Sequence, residues 1–130
     1  KSADYADAES AKELSFAVEI GSAGKEQAEA NGFTYTEVAD QATALLEVSS
    51  GTADAAIIDY LMAAAMTGEG TSYAGLTFTA SLNSEEYGVG FRKGSDLAAA
   101  LNGFFKTAYA DGTMQSIADA YNIGDMLIAQ

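Results

Sequence analysis

Apolar and polar positions recur along this chain in two rhythms, and the changes of rhythm mark its elements. Leu14-Ser15-Phe16-Ala17-Val18-Glu19-Ile20 is a short, largely apolar run that stops at Gly21, the pattern of a strand buried on both faces. Ser22 or Gly24 then opens a helix that reaches Asn31-Gly32, where glycine provides a C-terminal stop. Phe33-Thr34-Tyr35-Thr36-Glu37-Val38 alternates and is rich in β-branched and aromatic residues, which predicts a second strand. Asp40 reads as the N-cap of a helix from Gln41 to Val48, with Ala44, Leu45 and Val48 on one face. The polar turn Ser50-Gly51-Thr52 leads into Ala53-Asp54-Ala55-Ala56-Ile57-Ile58-Asp59, a third strand that ends on a carboxylate. A helix through Leu61, Met62 and Met66 follows and halts in Gly68-Glu69-Gly70. Leu76-Thr77-Phe78-Thr79-Ala80 and Tyr87-Gly88-Val89-Gly90-Phe91 alternate as two further strands. Helices from Asp96 to Ala110 and from Met114 to Tyr121, parted by Asp111-Gly112, close the chain, and the acidic residues 1–13 read as a linker or a loose first helix.

The strand–helix alternation over residues 14–67 predicts an α/β fold, a doubly wound and mostly parallel sheet with flanking helices and right-handed crossovers. A strand order of 2-1-3 would set the loop at Gly21 beside Asp59, at the carboxyl edge where ligands of open α/β sheets bind. The first loop offers the backbone N–H groups of Gly21, Ser22, Ala23 and Gly24 at a helix start, a setting that favours anions. The second offers the Asp59 carboxylate, and together they suit a small zwitterion. Each also has a plain structural explanation: the glycines permit a tight turn, and Ser22 and Asp59 cap helices.

Composition narrows the chemistry. The chain has 130 residues, 48% of them hydrophobic, enough for one sizeable core. Six Lys and Arg against 19 Asp and Glu give a net charge of −13, which argues against nucleic acid because few cations are available for phosphates. No cysteine and no histidine are present, so thiolate nucleophiles, disulfides and the commonest general base and metal ligand are excluded. Gly21-Ser22-Ala23-Gly24-Lys25-Glu26 has two residues between its glycines where a phosphate loop needs four, and G-x-G-x-x-G is absent, so no nucleotide cofactor is expected. Neither an acid–base pair nor a nucleophile with its base can be assembled, and the chain reads as a binding protein without a catalytic site, cofactor or metal. An apolar stretch of about 18 residues, the mark of a membrane-spanning helix, does not occur. A second reading is a flavodoxin-like signalling or interaction domain of receiver type, with Asp59 as phosphoacceptor. Such a domain needs an acidic pair for Mg²⁺ after the first strand, and here that strand ends Glu19-Ile20-Gly21.

Four segments in order resemble the amino-acid-binding proteins of bacterial ABC importers, the extracellular solute-binding proteins for polar amino acids. They are Val18–Gly24, Leu45-Leu46 through Gly51–Asp59, Glu86–Leu97, and Asn102 with Asp111–Met114 through Ile117 to Tyr121. The resemblance implies a periplasmic-binding-protein type II-like lobe at residues 14–82, preceded by a crossover segment at 1–13. It assigns residues 83–130 to the hinge return strand and the C-terminal helices of an incomplete first lobe. It implies that the amides around Ser22, Ala23 and Gly24, with the Ser22 hydroxyl, bind the ligand α-carboxylate and that Asp59 pairs with its α-ammonium. Glu19 then falls where relatives touch the ligand side chain, a hint of a cationic one. In the intact protein the partners would be a small polar amino acid and an ABC permease of the cytoplasmic membrane, and the location extracytoplasmic, periplasmic or lipid-anchored. The Arg and aromatic walls of the family's first lobe have no counterpart here, so about half a cleft is expected. Self-association through residues 88–130, whose Leu97, Leu101, Phe104, Phe105, Ile117 and Tyr121 would otherwise lack a cover, is expected as well.

Overall fold

The computed structural model describes residues 5–121 and 123–128. Internal contacts divide the chain into two compact units, Lys1–Ser84 and Glu85–Gln130.

In the first unit, β1 (Ser15–Glu19), α1 (Ala23–Asn31), β2 (Thr34–Val38), α2 (Gln41–Ser50), β3 (Ala55–Ile57) and α3 (Tyr60–Met66) follow one another. The strands form an open parallel sheet in the order β2-β1-β3, so β1 is central. Val18 lies opposite Glu37 on one side and Ile57 on the other. Phe16, Ala17 and Val18 of β1 are buried, as a central strand covered on both faces requires, while the three residues of β3 are half-buried. Phe16 and Val18 join Ala28 of α1 and Phe33 in one core, against which Ala55 and Ile57 pack. The Phe16 and Phe33 rings stack with centroids 4.5 Å apart. Ala56 and Ile58, offset by one residue, instead meet Leu45 and Val48 of α2 and Leu76. The sheet is thus covered on both faces, as the alternating side chains of β3 require. The α/β class and the 2-1-3 order agree with the sequence pattern.

Helix ends obey local chemistry. Gly32 and Gly51 take left-handed conformations at φ 69° and 85° and close α1 and α2 by donating back to the last turn. The Asp40 carboxylate accepts from the Thr43 N–H at 2.7 Å, and α2 runs to Ser50, past the expected end at Val48.

Three expectations need correction. β3 stops at Ile57, two residues before Asp59. Leu76–Ala80 and Tyr87–Phe91 form no strand among the described residues. Alternation suits a strand but does not by itself make one, since the backbone must also pair. Leu76 is instead drawn into the α2-side core, while Phe78 meets Tyr60 edge to face, with centroids 5.1 Å apart. Finally, residues 7–14 do not form the loose helix that is one of the two readings of the opening segment. They form turns, tied by reciprocal Asp7 and Ser10 bonds, with Ala11 buried beside Phe16. Residues 1–4 of that segment lie outside the described residues.

The second unit contains α4 (Leu97–Ala110), α5 (Thr113–Ala120) and a 3₁₀ turn, Gly124–Met126. Asp111 accepts from the Thr113 N–H at 2.9 Å, which starts α5 one residue earlier than expected. Among the described residues no helix is long and apolar enough to cross a membrane.

Candidate functional site

Adjacency of β1 and β3 places the loop after β1 and the loop after β3 at the same carboxyl edge. Neighbouring strands lie about 4.8 Å apart, so the two loops fall within the span of one small molecule. Every predicted site residue, Glu19, Gly21, Ser22, Ala23, Gly24 and Asp59, is on these two loops or at the strand end that feeds them.

Ser22 is the N-cap of α1. Its hydroxyl donates to the Glu19 carbonyl at 2.7 Å and accepts from the Lys25 N–H at 3.1 Å. A hydroxyl has one proton to donate, so in this arrangement Ser22 offers a ligand acceptor capacity only. The donors at this end of α1 are the N–H groups of Ala23 and Gly24, which have no acceptor among the described residues. Gly21 provides the turn at φ 70°. Gly24 has a different duty. A Cβ there would lie 2.8 Å from the Ile57 carbonyl oxygen, so glycine lets α1 press against β3. Lys25, the cation nearest the loop in sequence, is engaged by Glu37 at 3.1 Å and Glu29 at 3.8 Å. Its ammonium is held above the usual range, chiefly by the Glu37 bond.

Asp59 is half-buried and caps α3, its Oδ1 accepting from Leu61 N–H at 2.8 Å and more loosely from Met62 N–H at 3.4 Å. Its own N–H donates to the side-chain oxygen of Gln41, the first residue of α2, at 3.0 Å. Gln41 thereby ties the start of α2 to the loop after β3, a link between residues 18 apart that no sequence motif signalled. Glu19, the last residue of β1, is half-buried and shares its face of the sheet with Ala17.

Comparison with protein-family models returns no match, and comparisons with curated proteins and with solved structures return no significant one.

The same edge carries apolar side chains in water: Ile20 is 64% exposed and Tyr60 52%. With the Tyr60–Phe78 pair they give the rim an aromatic character. Tyr60 could have been found from its position beside Asp59, whereas Phe78 lies in a segment that reads as an ordinary strand. Among the described residues no group of three or more acidic side chains could hold a metal ion. A shallow groove of about 220 Å³ lies elsewhere, in the second unit, between the Tyr87–Phe91 segment and Leu101, Asn102 and Phe105 of α4.

Chemically, the sheet edge presents two unpaired backbone donors at a helix start, one carboxylate on the loop after the adjacent strand and an aromatic rim. That set can hold a small molecule bearing both an anionic and a cationic group.

Proposed function

We propose that this chain is the ligand-contacting lobe of an amino-acid-binding protein that serves an ABC importer. The observation that carries the reading is the β2-β1-β3 order, which sets the Ala23 and Gly24 amides and the Asp59 carboxylate on neighbouring loops. In this assignment the amides hold the α-carboxylate and Asp59 pairs with the α-ammonium. Glu19 faces the ligand side chain, and Tyr60 forms part of the wall. The resemblance of Val18–Gly24 and Gly51–Asp59 to that family supports the same roles. The function is binding without catalysis, at an extracytoplasmic location, with delivery to a membrane permease. One lobe encloses a ligand incompletely, so affinity should be weak, since enclosure supplies most of the desolvation.

Backbone NMR titration with polar amino acids at millimolar concentration tests this. Shifts confined to Glu19, Ser22–Gly24 and Asp59 are expected, strongest for the preferred side chain. Asp59→Asn keeps the helix cap but removes the charge, and should abolish the response while leaving the fold intact. Absence of shifts with every amino acid, or an undiminished response in Asp59→Asn, would overturn the assignment. Phosphorylation of Asp59 by a small phosphodonor with Mg²⁺ would support the receiver-type alternative instead.

A further inference from the structure

Asp59 is held through its backbone as well as through its carboxylate. In a capping box, the N-cap side chain accepts from an N–H of the first turn, and a Glu or Gln at the third helical position reaches back to the N-cap N–H. Asp59 supplies the first half, accepting from Leu61 and Met62. The third residue of α3 is Met62, whose thioether is a poor acceptor. The second half comes from another helix: Gln41 Oε1, at the start of α2, accepts from the Asp59 N–H at 3.0 Å. The box is completed across 18 residues of chain.

The source of that acceptor matters for a carboxylate that has to meet a charge. The bonds from Leu61 and Met62, and the one from Ala63 to the Asp59 carbonyl, run within α3 and would move with it. A helix of seven residues does not persist by itself, and β3 stops at Ile57, so Asp59 lies beyond the sheet ladder. In contrast, α2 is firmly seated. Its Ala44, Leu45 and Val48 are buried, Asp40 caps its start, and the Ala42 carbonyl accepts from the Tyr73 hydroxyl at 3.3 Å. The Gln41 bond is half-buried, which limits competition from water. The residue type suits the task. A glutamine accepts the N–H without setting a second negative charge beside Asp59, as glutamate would.

We propose that Gln41 is a positioning residue for the ligand ammonium: by fixing the Asp59 backbone to α2, it holds the Asp59 carboxylate at the carboxyl edge of the sheet. The inference rests on the amino-acid reading of that edge. Groups that meet a ligand must be kept within about 0.5 Å of their working position by the residues behind them.

The test compares the parent with two variants. Gln41→Met keeps the length of the side chain without its acceptor, and Gln41→Glu restores an acceptor. Each full chain is titrated, by backbone NMR, with the polar amino acid that shifts the parent most. Gln41→Met should raise Kd about three- to tenfold, as the loss of one partly buried hydrogen bond implies. It should also quicken amide exchange at Asp59, and Gln41→Glu should return both quantities towards the parent values. A bond that served folding alone would lower the urea midpoint of Gln41→Met and leave the Kd of the folded chain where it was, and that result would overturn the proposal. A Gln41→Glu chain that binds as weakly as Gln41→Met would do the same, as would Asp59 exchange that Gln41→Met leaves unchanged. A parent that responds to no amino acid overturns the reading of the edge itself. A parent that binds, beside a Gln41→Met that binds equally well, overturns the role of Gln41 alone.

Discussion

Gly21 and Gly24 stand three residues apart in one loop, yet the structure asks different things of them. At Gly21 the backbone is left-handed and the space beyond its Cα is open, so Gly21→Ala incurs only conformational strain, about 1 kcal/mol. At Gly24 the new methyl would meet the Ile57 carbonyl oxygen at 2.8 Å and Ile57 Cγ2 at 3.2 Å. Neither neighbour can swing aside as a flexible chain end would, so α1 must move off β3. Gly24→Ala should therefore cost more, about 1–3 kcal/mol. Urea unfolding of both variants checks the ranking, and the reverse order would mean that α1 is not pressed on β3. The sequence suggested both glycines as ligand-side amides or turn formers, and nothing in it marked Gly24 as a packing position. A close approach is a property of two elements, and only one of them is local.

At the scale of elements, the helices of the first unit are short and held by their caps as much as by packing. Nine-residue α1 is too short to persist alone, and Ser22→Ala removes the acceptor for the Lys25 N–H, with an expected loss of about 1 kcal/mol. Faster amide exchange at Lys25 would accompany it. The cap of α2 gives a pH signature. The Thr43 N–H holds the Asp40 carboxyl below its ordinary value of 3.8. A carboxyl depressed in the folded state adds stability that is present above 3.8 and lost as pH falls through the lower folded value. Asp54, beside Ser15, and Asp111, beside Thr113, act in the same sense. Asp40→Asn retains a cap without a titrating proton, so its urea midpoint should fall less steeply than that of the parent below pH 3.8. Equal slopes would show that the Asp40 charge contributes nothing. Lys25 has the opposite sign. Raised by Glu37 above 10.5, its contribution is present below that value and disappears as pH climbs through the higher folded one.

For the whole molecule, charge is the dominant fact. With a net −13, the carboxylates repel one another, and the ion pairs among the described residues join Lys12 to Glu9 and Lys25 to Glu29 and Glu37. Exposed pairs of this kind contribute little. Added salt at neutral pH should therefore raise the urea midpoint by screening repulsion. A lower midpoint in salt would show that the Lys25 cluster outweighs the long-range field. The apolar load is distributed differently, with Tyr87, Val89, Leu97, Phe104, Ile117 and Tyr121 exposed in the second unit. Surface of this kind on a less charged unit is what a partner would cover.

What the sequence by itself determined was local. The buried character of β1, the caps at Ser22 and Asp40, the stops at Gly32 and Gly51, and the helical faces of Ala44, Leu45 and Val48 all follow from residues within a turn or two of each other. The parallel sheet followed from alternation, since a helix between two strands returns the chain in the same direction. Tertiary structure decided what depends on a distant neighbour. It made Gly24 a contact with Ile57, joined Gln41 to Asp59, and paired Tyr60 with Phe78. It also drew Leu76 into the α2-side core, so that among the described residues Leu76–Ala80 forms no strand despite its alternation.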